Sequence, residues 1–128
     1  MCARLRVANI DGAAGSVEEL ARIVAQIRQA WPEVQIIVRG DSGFCREELL
    51  AWCEANQVDY VLGLAKNDRL KAEITAELHQ AAEECQRTGQ AARVFKELAY
   101  QTRESWAHAR RWSARRSTWR KARTRALW

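Results

Sequence analysis

The chain has 128 residues, 48% of them apolar and 29% charged, which leaves room for one domain with a modest core. No apolar run approaches the roughly 20 residues of a membrane span, and the opening MCARLRVANIDG lacks the apolar centre of a signal peptide, so a cytoplasmic location is expected. The formal net charge of +5 is local: residues 110–128 hold 8 of the 21 basic residues and no acid, which leaves 13 basic against 16 acidic residues before them.

Residues 2–8 alternate well enough for a short strand, and Asn9 to Gly15 is a loop. Ser16 has the position of an N-cap, with Glu19 completing a capping box in which each side chain satisfies a free backbone N–H. Val17, Leu20, Ala21, Val24, Ile27 and Trp31 follow at helical spacing, and Pro32 stops the helix. Val34 to Val38 is almost wholly apolar and β-branched, which predicts a strand covered on both faces, as in a parallel or mixed sheet.

Residues 44–56 return to helical spacing, with Leu49, Trp52 and Cys53 on one side and Asn56 near the C-cap. Residues 58–65 predict a further strand. Asn67 or Asp68 caps a long helix running to about Arg87, with Leu70, Ile74, Leu78, Ala81 and Cys85 on its apolar face and Gly89 at its end. Residues 93–102 and 105–111 alternate loosely, as the two strands of a hairpin do. This order of elements predicts an α/β layer fold. Cys2, Cys45, Cys53 and Cys85 fit neither a zinc pattern nor a redox pair and are expected to be free thiols.

The segment Arg39-Gly40-Asp41-Ser42-Gly43-Phe44 admits three readings. An adhesion tripeptide needs an exposed loop on an exported protein, whereas this one ends an apolar strand. A serine nucleophile at Ser42 needs a histidine base and a carboxylate, and only His79 and His108 are present. A carboxylate leaving the C-terminal end of a strand stands where α/β sheets place their ligands. Asp41 there could supply one oxygen ligand to Mg²⁺, with Gly40 and Gly43 giving the backbone freedom to turn. Equally, Asp41 could do no more than cap the helix that follows.

The run from Ile36 to Leu70, IIVRGDSGFCREELLAWCEANQVDYVLGLAKNDRL, resembles the group 1 DDE transposases of bacterial insertion sequences. Their second catalytic Asp lies in an R-x-D-S-G-F segment, followed by a helix and a strand ending in G-L-A. The likeness spans residues 2–111. It implies a partial ribonuclease H-like fold, a mixed sheet with flanking helices. It also implies Mg²⁺-dependent DNA cleavage and strand transfer on insertion-element ends, with Asp41 as the second of three metal-holding carboxylates. The resemblance offers no counterpart in this sequence for the first Asp or the final Glu. Glu83 and Glu84 come too early for the latter, so the chain is expected to be a transposase fragment that is inactive by itself.

From Trp112 onward the pattern changes. Residues 112–128 have no apolar period of either kind and hold three of the six tryptophans. The expected organisation is therefore a partial catalytic domain over 1–111 and a basic tail over 112–128, either disordered or translated from a shifted frame. The rival reading is a small non-enzymatic nucleic-acid-binding protein, in which the tail's cations bind phosphates while Trp112, Trp119 and Trp128 stack on bases.

Overall fold

The computed structural model describes residues 9–118 and 125–127. The strand expected at 2–8, together with Trp119 and Trp128, lies outside the described residues. The elements are mixed α/β, as the sequence predicts, and they fall into two compact units, Met1–Leu64 and Ala65–Trp128.

The first unit opens with α1, Ser16–Ala30. The expected capping box is not formed. Gly15 occupies the cap in the left-handed conformation (φ 69°, ψ 14°) and no side chain bonds the free amides. Glycine enters that region without a Cβ penalty, which moves Ser16 inside the helix. Glu19 instead pairs with Arg22 at 3.0 Å. Trp31 closes the helix by donating its N–H to the Ile27 carbonyl at 2.9 Å, and Pro32 prevents another turn.

Strand β1, Ile37–Gly40, runs parallel to β2, Asp59–Leu62, with Ile37 opposite Asp59 and Gly40 opposite Leu62. Helix α2, Glu47–Ala55, connects them, preceded by a 3₁₀ turn at Ser42–Phe44. Asn56 ends α2 as expected, its side-chain amide donating to the Trp52 carbonyl at 2.8 Å. Val24, Leu49, Cys53 and Val58 form the buried core, with Ile36, Val38, Tyr60 and Leu62 packed on it from the strands.

Among the described residues, the strand expected to be covered on both faces is covered on one. Side chains alternate across a strand. Ile36 and Val38 therefore meet α1 and α2, while Ile37 and its neighbour Val61 are each 60% exposed. Leu50, which the predicted helix face leaves out, is buried beside Leu49.

In the second unit the predicted long helix is two: α3, Asp68–Glu73, and α4, Thr75–Thr88. The break falls at Ile74, which is fully buried. Ile74 and Thr75 are both β-branched and lose side-chain freedom in a helix. The Thr75 hydroxyl also donates back to the Lys71 carbonyl at 2.9 Å, a bond that bends helices. Asn67 caps α3, accepting from the Leu70 N–H at 2.9 Å. Gly89 ends α4 with φ 66°.

Strand β3, Ala92–Tyr100, pairs antiparallel with β4, Arg110–Thr118, and β5, Arg125–Leu127, adds to β4. The second hairpin strand was expected at 105–111; residues 101–109 are instead the connecting loop. Polar side chains hold that loop: Gln101 donates to the Trp106 carbonyl at 3.0 Å, and the Thr102 and Ser105 hydroxyls share a bond of 2.7 Å. Strand β4 runs across position 112, and residues 112–118 are strand. Arg110, Trp112 and Ala114 turn toward the covered side while Arg111 and Ser113 stay exposed, so an alternation is present. Its inward set is one cation, one aromatic ring and one methyl, which hides the period.

Candidate functional site

Asp41 leaves the C-terminal end of β1, and its surroundings explain the spelling of the segment around it. Its Oδ1 accepts the Gly43 N–H at 2.8 Å and caps the 3₁₀ turn. The capping role is therefore real. It occupies one carboxylate oxygen and leaves Oδ2 without a partner among the described residues. The side chain is exposed, so the free oxygen is open to solvent.

The glycines serve close approach and not an unusual backbone conformation. Neither Gly40 nor Gly43 has a positive φ, which corrects the expected role. A Cβ at Gly40 would meet the Leu62 side chain at 3.0 Å and Phe44 at 3.4 Å. The tighter constraint is Gly63, just past β2, where a Cβ would lie 2.9 Å from the Ser42 amide nitrogen and 3.2 Å from the Asp41 carbonyl carbon. Gly63 also donates its N–H to the Gly40 carbonyl at 3.0 Å. Two strand ends thus clamp the backbone that presents Asp41. Sequence reasoning missed Gly63; a glycine interrupting an apolar strand run was the available signal.

Arg46, just beyond the turn, pairs with Asp11 at 3.2 Å and ties the 9–15 loop to the motif. Both side chains are more than half exposed, so the pair positions the loop more than it stabilises the unit. Ser42 is exposed on the turn. His79 lies on α4 and His108 in the loop before β4, both in the second unit.

Among the described residues no group of three or more His, Cys, Asp or Glu side chains is arranged to hold a metal ion. A divalent cation such as Mg²⁺ needs six oxygen ligands in near-octahedral geometry, and Asp41 offers one free oxygen. The residues described here do not by themselves make the two-ion centre that the resemblance implies.

The second unit holds a separate arrangement. A cleft of about 520 Å³ is lined by Arg69, Glu73, Leu98, Tyr100, Gln101 and Arg103, among others. Tyr100 is buried at its edge, its hydroxyl accepting from Asn67 at 2.9 Å and its ring edge-on to Trp106 at 5.8 Å. Trp112 also packs on Tyr100, at 6.3 Å, so it is part of an aromatic cluster and not a freely projecting stacking residue. No helix among the described residues is long and apolar enough to cross a membrane.

The first unit thus presents a carboxylate on a glycine-clamped turn at the end of a parallel strand, where α/β sheets place their ligands. The family model Transposase DDE domain group 1 matches residues 1–123, and the chain belongs to that family. The match runs through the change of pattern at 112. Neither the curated proteins nor the solved structures contain a significant match to this chain. The family's activity is transposition, a form of DNA recombination; its members act on DNA ends and generally use divalent metal.

Proposed function

We propose that this chain carries the second metal-holding carboxylate, Asp41, of an insertion-sequence transposase, and that the 128 residues do not cleave DNA alone. One observation supports this above the rest: Asp41 is exposed at the end of β1 with Oδ2 free, on a turn held by Gly63. The capping bond does not compete with that role, because a carboxylate has about four acceptor sites. Inactivity follows from coordination: one carboxylate satisfies the shell of neither ion in a two-metal phosphoryl-transfer site. In the ancestral reaction Asp41 would hold Mg²⁺ while DNA is cut and joined. A polypeptide supplying the missing carboxylates would have to complete the site.

The test is incubation of the purified chain with Mg²⁺ or Mn²⁺ and a supercoiled plasmid. No nicking above background is expected, and Asp41→Asn should change nothing. Metal-dependent nicking that disappears in Asp41→Asn would overturn the inactivity while upholding the site. Nicking that persists in that variant would remove Asp41 from the reaction altogether.

A further inference from the structure

We infer that the cleft between α3 and the start of the β3–β4 loop is a phosphate-binding subsite for a nucleic-acid strand, with Arg69 and Arg103 as its cations. The proposal rests on the transposase reading for the class of ligand and on the second unit alone for its geometry. Arg22, Arg46, Arg87 and Arg111 are paired with the carboxylates of Glu19, Asp11, Glu84 and Glu97. Arg69 and Arg103 have no carboxylate partner among the described residues, yet both line the same cleft. Two guanidinium groups lining one concavity attract an oxyanion, and the planar fork of Arg matches phosphate oxygens.

Arg69 is held in place for that task. Its guanidinium carbon lies 5.3 Å from the centre of the Tyr100 ring, and Nη1 donates to the Gln101 carbonyl at 3.5 Å. The ring is fixed in turn by Asn67 and Trp106. A guanidinium seated on an aromatic plane loses little further freedom on binding. Leu98, Ala99 and Tyr100 supply an apolar wall beside the cations, which suits the sugar and base flanking a phosphate better than a free inorganic ion. The cleft volume of about 520 Å³ lies within the range of small-ligand sites. Glu73 is the one carboxylate in the lining, and it leaves the cleft a net positive charge.

The experiment is fluorescence anisotropy of a labelled 16-nucleotide single strand titrated with the full chain across a range of salt. The Arg69→Ala/Arg103→Ala double variant should bind about tenfold more weakly near 0.1 M salt, with a log–log salt slope shallower by about 1.4, since each phosphate contact on a single strand contributes roughly 0.7. Arg87→Ala/Arg93→Ala removes the same charge from the same unit outside the cleft and should shift neither quantity by more than a third as much. Arg69→Lys/Arg103→Lys keeps the charge and should retain the slope, which separates a lost contact from a damaged fold. Equal losses in the cleft and control doubles, or no binding by the unaltered chain at low salt, would overturn the subsite. Plasmid nicking is read separately through Asp41→Asn, so failure here and failure of the proposed function give different results.

Discussion

Gly63 and Ser42 touch backbone to backbone: a single added methyl at Gly63 would stand 2.9 Å from the Ser42 amide nitrogen. That distance is below what real Cβ contacts allow, and the obstructing atoms are main chain on both sides. Gly63→Ala should therefore cost about 1–3 kcal/mol, as overpacking does, measured as a shift in the urea midpoint. An unchanged midpoint would mean that the Asp41 turn is not clamped.

Asp41 invites a paired comparison. Asparagine retains the oxygen that accepts the Gly43 N–H, so Asp41→Asn should leave stability within about 0.5 kcal/mol. Asp41→Ala removes the cap and should cost about 1 kcal/mol. Thermal denaturation of both variants separates the capping role of this residue from any catalytic one.

Asn67 works at both ends of its amide, with Oδ1 capping α3 and Nδ2 donating to the Tyr100 hydroxyl. Asn67→Ala should cost roughly 1–3 kcal/mol, the loss of a cap plus a hydrogen bond. Asn67→Asp keeps the capping oxygen but cannot donate to Tyr100 and should fall in between. A smaller loss for Asn67→Ala than for Asn67→Asp would contradict this arrangement.

Glu77 gives the second unit an acid-sensitive contact. A hydrogen bond from its own backbone N–H holds its carboxyl below the usual range, and Lys96, 3.1 Å away, adds to the effect while burial opposes it. A folded-state pKa below the unfolded one contributes stability that is full above the unfolded value, near 4.5. That stability is lost as pH falls through the folded value. Glu77→Gln should flatten the stability–pH curve below pH 4.5 and leave its shape near neutrality unchanged, as read from denaturant midpoints.

The strand–helix–strand order of the first unit was legible because its signals are local. β-Branched runs, the period of α1, Pro32 and Asn56 each act within a few residues. The location of Asp41 at a strand end was legible for the same reason. What was not legible depends on tertiary packing. Gly15 displaced Ser16 from the cap through its backbone conformation, and no periodicity indicates which face of a strand stays uncovered. The break at Ile74 sits within an intact apolar stripe, so the helical period gave no warning of it. Strand β4 was hidden because its inward positions are Arg110, Trp112 and Ala114, whose size and charge mimic irregular sequence. The Gly63 clamp links residues about twenty positions apart, and no spacing rule connects them.

The course of β4 changes what a truncation at Trp112 would measure. Such a cut would leave Ala92 to Leu98 without the ladder partners that run from Thr118 to Trp112. It would also remove one ring from the cluster around Tyr100. A shortened chain that no longer bound DNA would be reporting a stripped hairpin as much as missing charge. Point replacement of individual arginines, with the ladder kept whole, is the cleaner instrument for weighing the basic segment.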